Sequence, residues 1–240
     1  MIDVMYPLGN GSHMDDFELR YSLRSMEANL IDLGDVCIVG HKPEWCTNVI
    51  WEPMGDPYKD NKAANIISKI MWFCNFRHDR TFLRASDDQY LLKPIHSDNM
   101  RPMYNWDMSK YEKWDHSNKW HSLLIRTMQY LLTKNKTVYN YETHIPMKVE
   151  PWDFLHIMLK TDFGSASGYV TNSLYYNSFL HMYNHVKIDP STRAVFMDAE
   201  TPFNITDKHQ YLCHNDSGLS YDLMNYLKAK FPKPSKYEKT

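Results

Sequence analysis

Short apolar, β-prone segments alternate with amphipathic helical segments through the first 90 residues of this 240-residue chain, and this alternation restricts the possible fold most strongly. The β-prone segments are residues 2–6, 35–40, 47–51 and 81–85. The helical segments are residues 16–30 and 62–76, and in the first of them the apolar side chains share one face: Leu19, Leu23, Met26 and Leu30. Such alternation predicts an α/β fold of Rossmann-like type, with a mostly parallel sheet covered on both faces.

The second half of the chain differs from the first in being rich in aromatic residues. Its predicted helices are residues 117–134, 151–160, 173–183 and 219–231, and one strand-like segment covers residues 138–146. No repeat, low-complexity tract or linker separates the halves. We therefore predict one domain over residues 1–240, with residues 1–93 forming the first half and a mostly helical second half, residues 94–240, forming the other wall of a cleft.

The overall charge excludes a chain that binds polyanions along its whole surface. There are 27 basic and 29 acidic residues, which gives a net charge of −2, so a nucleic-acid contact would need a local patch. Five lysines crowd the C-terminal region: Lys228, Lys230, Lys233, Lys236 and Lys239. They are interpreted either as a solvated terminal tail or as a contact for a phosphate backbone.

The cysteines and the absence of long apolar runs predict a cytoplasmic protein. The four cysteines show neither a CxxC pair nor the spacing of a zinc finger, which favours a reducing compartment. No apolar stretch approaches the 18 or more residues of a membrane span, and the segment MIDVMYPLGNG lacks the basic start of a signal peptide.

Ligands of open α/β sheets bind beyond the carboxyl ends of the strands, which directs attention to the residues after the first and fourth predicted strands. After the first strand comes a glycine-containing turn: Pro7, Leu8, Gly9, Asn10, Gly11 and Ser12. Glycines allow close backbone approach, and the following helix N-terminus can meet a phosphate. The alternative is an ordinary turn between a strand and a helix.

After the fourth strand, Ser86, Asp87 and Asp88 separate two β-prone runs. Carboxylates near a core are costly unless a cation or hydrogen bonds compensate them. A divalent cation that bridges these carboxylates and a diphosphate is one solution. Two acids in an exposed turn are the other.

Two predicted helices carry polar residues four positions apart. Arg20 and Arg24 form a fork that suits a diphosphate, or they form a salt bridge, for example between Arg24 and Glu27. Asn65 and Lys69 on the second helix either reach a ligand's hydroxyls or phosphates or are solvated.

Seven short strings in one order carry a family resemblance. They are ELRYSLRS at 18–25, CIVGHKPEW at 37–45, NIISKI at 65–70, SDDQYLL at 86–92, HIP at 144–146, HND at 214–216 and FPKPSKYE at 231–238. The order resembles the Stealth-type sugar-phosphate transferases and the small GT-A-like glycosyltransferases related to them, including stand-alone versions in bacteria and phages. The resemblance spans nearly the whole chain.

The resemblance implies a GT-A-like sheet that binds a nucleotide sugar, with a divalent metal, Mn²⁺ or Mg²⁺. It implies that Asp88, with Asp87 and His214, holds the metal, and that Ser86 stands where a full Asp-x-Asp motif has its first aspartate. The donor would lie against Ser86 and residues named above: Pro7 to Ser12, Arg20, Asn65 and Lys69.

The resemblance also implies catalytic roles for His144, Asp216 and Asp87 near the transferred group. Without it, His144 is equally consistent with a packing residue, and Asp216 or Ser217 with a helix N-cap. Trp106 and Trp120 are interpreted as core residues or as platforms for an acceptor.

The implied activity is metal-dependent transfer of a sugar from a nucleotide-diphosphate sugar to an acceptor hydroxyl. A glycan and a hydroxymethylated pyrimidine in phage DNA are the candidate acceptors. The alternatives are a sugar-1-phosphate transferase of the Stealth type and an inactive nucleotide-sugar-binding protein. The arginine that follows the histidine in the Stealth pattern has no counterpart in TDFGSASGYVTNSLYYN, which favours ordinary glycosyl transfer.

Overall fold

A five-stranded sheet forms the centre of the protein in the computed structural model, which describes residues 1–9, 14–165, 168–179, 182 and 184–239. Its strands are β1 (Ile2–Leu8), β2 (Leu33–Gly40), β3 (Ile50–Glu52), β4 (Phe82–Arg84) and β7 (Met147–Val149). Their order in the sheet is β3-β2-β1-β4-β7. The first four are parallel and β7 pairs antiparallel with β4. This confirms the α/β prediction at the level of a parallel-rich central sheet with flanking helices.

Helices cover both faces of this sheet. Helix α1 (Phe17–Asn29) packs its apolar face against the side of β1 that carries Val4 and Tyr6. Helix α2 (Lys62–Phe76) packs against the opposite side, where Met5 points. Side chains of neighbouring strand residues alternate between faces, so one buried strand supplies both cores.

The second half of the chain is less helical than the sequence predicts. It contributes α3 (Lys119–Thr133), α4 (Pro151–Met158), α5 (Thr171–Ser178) and α6 (Tyr221–Lys230). It also forms a sheet in which β10 (Tyr211–His214) pairs with β9 (Arg193–Phe196) and with β5 (Gln89–Leu91) of the first half. A further pair joins β6 (Met103–Tyr104) to β8 (Val186–Lys187). Strand β5 lies in the β-prone run that follows Asp88, whereas β6, β8, β9 and β10 have two to four residues, too few to show a period in the sequence.

The strand predicted at residues 138–146 is wrong, because this segment pairs in another way. Its only bridge within the described residues joins Asp107 to Tyr139. The amide of Asn177 accepts a hydrogen bond from the Tyr139 backbone N–H and donates one to the Tyr139 carbonyl. The Tyr141 N–H donates to Ser173 Oγ. Val138 and Asn140 also form backbone hydrogen bonds with residues 105–108. Side chains of α5 thus satisfy backbone polar groups that this short pairing leaves over.

The C-terminal segment is docked, so the interpretation as a solvated tail is wrong for its backbone. Tyr237 and Glu238 are buried, and the Lys239 N–H donates to the Trp45 carbonyl. The lysine side chains of this region remain exposed. Within the described residues, no helix combines the length and apolarity that crossing a membrane requires.

Candidate active site

A cavity of about 730 Å³ opens at the carboxyl end of β4. Its walls come from the β4–β5 turn, the first turn of α2, the start of α3, residues 142–144 and the start of α5. The volume is that of a typical small-molecule site, and its place at a strand end is where open α/β sheets bind ligands.

The turn after β4 is held rigidly. The Ser86 N–H donates to the Gln89 side chain over 3.1 Å. From α1, Ser22 Oγ donates to the Gln89 carbonyl over 2.7 Å and bonds to the hydroxyl of Tyr6. These contacts present Asp87 and Asp88 to the cavity.

The carboxyl groups of Asp87 and Asp88 in this turn are largely desolvated. Burial raises the pKa of Asp88 to about 7, and the charge of Asp87 adds to the increase. Burial, followed by the charge of Glu18, also raises the pKa of Asp87. No hydrogen-bond partner among the described residues reaches Asp88 Oδ1. Such oxygens fit a divalent cation, whose charge would offset the repulsion between the two acids.

His214 does not present a free nitrogen to such a cation. Its Nε2 lies 2.9 Å from the Tyr90 hydroxyl, and its Nδ1 lies 2.8 Å from the Asn215 carbonyl oxygen. Because the carbonyl can only accept, Nδ1 carries the proton and Nε2 accepts from Tyr90. The described residues hold no group of three or more His, Cys, Asp or Glu arranged around a common point. An ion at Asp87 and Asp88 would therefore take its other ligands from substrate and water.

His144 lines the same cavity and is exposed there, so the alternative packing role does not describe it. Its backbone has a φ of 52°, a left-handed conformation that is uncommon outside glycine. Although the residue is open to the cavity, protein surrounds much of the ring. This desolvation, and after it the charges of Arg193 and Arg84, lower the pKa of the imidazole to about 4. The ring is thus neutral at pH 7.

Asp216 is exposed in the turn Asp216–Gly218 and does not line the cavity. Its charge nevertheless contributes to the raised pKa of Asp88. The N-cap of α6 is Ser220, whose hydroxyl accepts from the Leu223 N–H. The alternative capping role for Asp216 or Ser217 is therefore wrong.

The described residues of the predicted glycine loop, Pro7, Leu8 and Gly9, lie outside the cavity lining. Pro7 and Leu8 are the last residues of β1, and Asn10, Gly11 and Ser12 are outside the described residues.

Asn65 and Lys69 on α2 form hydrogen bonds with protein groups, so the alternative of solvated helix residues is wrong. Lys69 Nζ is buried and donates to the Leu8 carbonyl over 2.6 Å and to Asp56 over 2.5 Å. Asn65 accepts from the Tyr58 N–H and donates to its carbonyl. Both residues lie outside the cavity lining.

Arg20 and Arg24 form the ion pair that was one of two interpretations, but with a different partner. Arg24 Nε and Nη2 donate to the two carboxylate oxygens of Glu238 over 2.7 and 2.6 Å, and Arg20 Nη1 donates to the same group over 3.1 Å. The Arg20 guanidinium also lies 4.1 Å from the Trp45 ring centroid. Neither arginine lines the cavity.

Several residues of the cavity lining were not predicted as site residues, and the role of Trp120 was left open between core and platform. Arg84 and Glu142 line the cavity, and the only signal for Arg84 is one charge inside the apolar run FLRA. Glu142 accepts from the N–H and hydroxyl of Ser173 at the start of α5. Trp120 lies at the rim and is 42% exposed, which matches the platform interpretation better than the core one.

No protein-family model matches this chain, and no curated protein sequence matches it. Among solved structures, the mouse xyloside xylosyltransferase 1 in its apo form is similar with a TM-score of 0.46 and 9% identity. The match covers 90% of this chain and 98% of that one. At this distance the likeness identifies neither a fold family nor an activity.

Proposed function

We propose that the protein is a glycosyltransferase that moves a sugar from a nucleotide-diphosphate sugar to an acceptor hydroxyl. One observation carries the proposal: two carboxyl groups short of water and a neutral imidazole line one cavity at the carboxyl end of a parallel strand. The sequence resemblance to GT-A-like transferases supports the same activity.

In this proposal Asp88 and Asp87 hold a Mn²⁺ or Mg²⁺ ion. When bound, the ion would neutralise charge that develops on the leaving nucleoside diphosphate. The orphan Oδ1 of Asp88 supports the assignment. Ser86, which also lines the cavity, would contact the donor.

His144 is proposed to accept a hydrogen bond from the acceptor hydroxyl, which its neutral ring can do at pH 7. Asp216 is proposed to act through its negative charge, which reaches Asp88. Trp120 at the rim suits stacking on a sugar or base. The acceptor is a glycan or a modified pyrimidine in DNA, and the exposed C-terminal lysines suit the latter.

A product assay tests the proposal. The wild-type protein is incubated with Mn²⁺ and UDP-, GDP- or CDP-sugars, together with a glycan mixture or hydroxymethylated DNA. Release of a nucleoside diphosphate that depends on the acceptor is expected. Release of a nucleoside monophosphate would indicate sugar-phosphate transfer instead, and binding without release of either would contradict an enzymatic function.

A further inference from the structure

Arg84 occupies an unusual position for a charged side chain. It is the last residue of β4, and its neighbours in the sheet are Met5 of β1 and Met147 of β7. The side chain therefore starts from the middle of the central sheet. Arg84 is only 9% exposed, and it lines the floor of the cavity.

The described residues leave part of this guanidinium unsatisfied, because its buried Nε has no hydrogen-bond partner among them. None of the ion pairs in the described part of the chain includes Arg84. The nearby Glu142 accepts two hydrogen bonds from Ser173 at one oxygen, Oε1, and forms no ion pair with Arg84.

A buried guanidinium without a bonded partner is costly, because its desolvation is not repaid. Its planar N–H groups match the two oxygens of a phosphate or a carboxylate. We infer that Arg84 binds an anionic group of the ligand, a phosphate or a carboxylate, at the floor of the cavity. The inference rests on the proposed function, because it concerns the same cavity. It adds that the cavity binds an anionic group of the ligand.

The charges around the cavity are compatible with an anion at this point. Glu142, Asp88 and Asp87 act on Arg84 through their charges, in that order. The exposed residues Lys59, Lys62 and Lys119 also line the cavity, together with the exposed Asp60.

The alternative is an internal role, in which Arg84 only offsets the charge of these three acids. The two roles predict opposite effects on stability. Replacing an internal counter-ion leaves buried acids unpaired and destabilises the protein, whereas replacing an unsatisfied ligand-binding arginine removes a desolvation cost.

The test compares Arg84→Gln and Arg84→Lys with the control Arg80→Gln. Arg80 does not line the cavity, and its side chain is 54% exposed. Calorimetry measures binding of inorganic pyrophosphate, uridine diphosphate and glucuronate, with and without Mn²⁺, and melting curves give the stability of each ligand-free protein. The three probes separate a phosphate from a carboxylate.

We expect the wild type and Arg80→Gln to bind at least one probe alike. Arg84→Gln should bind it roughly 10- to 100-fold more weakly, as for a lost charge-assisted hydrogen bond, with a melting temperature equal to or above that of the wild type. Arg84→Lys keeps the charge but loses the fork, so its affinity should be intermediate. This variant decides the question if Arg84→Gln does not fold.

The inference would be overturned if the wild type, Arg84→Lys and Arg84→Gln bound the probe with equal affinity. It would also be overturned if the wild type bound none of the probes. A lower melting temperature of Arg84→Gln with unchanged affinity would assign the internal role instead. If Arg84→Gln turns over a nucleotide sugar like the wild type, the inference fails and the proposed function stands. If binding depends on Arg84 but no sugar is transferred, the inference stands and the proposed function fails.

Discussion

At His144 the backbone is left-handed at the point where the imidazole enters the cavity. For a residue other than glycine this conformation costs about 1–2 kcal/mol, which the surrounding structure must supply. The neighbouring Thr143 carbonyl accepts a hydrogen bond from Arg193 and so helps to hold the segment. Strain at this position and a function of the side chain can be separated by two substitutions.

His144→Ala and His144→Gly both remove the imidazole, and we expect both to lower the single-turnover rate of sugar transfer by about 10²- to 10⁴-fold with little change in donor affinity. Glycine tolerates the left-handed backbone but has more freedom when unfolded, so His144→Gly should be about 0.5–1 kcal/mol more stable than His144→Ala. Urea unfolding checks the second expectation. Normal rates in both variants would remove His144 from the reaction.

Asp88 is the residue on which the proposed metal site depends most. Asp88→Asn should abolish Mn²⁺-dependent nucleotide binding, because an amide lacks the charge that holds a hard cation. Stability should be unchanged or higher, since the substitution removes a desolvated charge beside Asp87. Calorimetry with and without Mn²⁺ measures the effect, and Asp79→Asn, 56% exposed, is the control. Undiminished Mn²⁺-dependent affinity would refute the metal assignment.

At the scale of elements, the carboxyl ends of β1 and β2 form a tight junction that Lys69 of α2 closes from one side. Gly40 ends β2 with a φ of 118°, and a Cβ there would lie 2.0 Å from the Leu8 carbonyl oxygen. Both the backbone conformation and the space thus require glycine.

We expect Gly40→Ala to lower the free energy of unfolding by at least about 2 kcal/mol, because the junction must open to admit the methyl group. Gly55→Ala is the matched control: a Cβ there meets nothing within 4 Å, so stability should be retained. Urea unfolding of both variants gives the comparison. Equal stabilities would show that the junction adapts without cost.

At the scale of the whole molecule, one ion-pair cluster joins α1 to the C-terminal segment. Glu238 binds Arg24, 214 residues away, and Arg20. Although burial opposes the charged form, hydrogen bonds from Arg24, Ser235 and Arg20 lower the pKa of the Glu238 carboxyl from 4.5 to about 2. The charged form is therefore the one that folding stabilises.

Because this pKa is lowered on folding, the stabilisation is complete above about pH 4.5 and is lost as the pH falls towards about 2. Glu238→Gln should cost on the order of 2 kcal/mol of unfolding free energy at pH 7, with the difference from wild type shrinking over that window. Urea unfolding at pH 7, 4 and 3 measures it, beside the exposed Glu44→Gln as control. A difference that does not change with pH would contradict this account.

Local pattern alone was sufficient for the first half of the fold. Helix α2 spans residues 62–76, as its period predicts, and β1, β2 and β4 lie where the apolar runs predict them. The double aspartate after β4 was likewise visible as two charges behind a buried strand. Periodicity and an abrupt change from apolar to charged residues are local properties, so no tertiary information was needed.

Contacts between distant segments determine the pairing of the short strands, the coil at residues 138–146 and the partners of several site candidates. The Asn177 side chain accepts a hydrogen bond from the Tyr139 backbone, Glu238 pairs with Arg24, and the Tyr90 hydroxyl bonds to His214. Each of these contacts joins residues 38 to 214 positions apart, so no local pattern contains it. Arg84 stands out for the converse reason: its significance is the missing partner of a buried charge, and a missing partner is visible only once every neighbour has been placed.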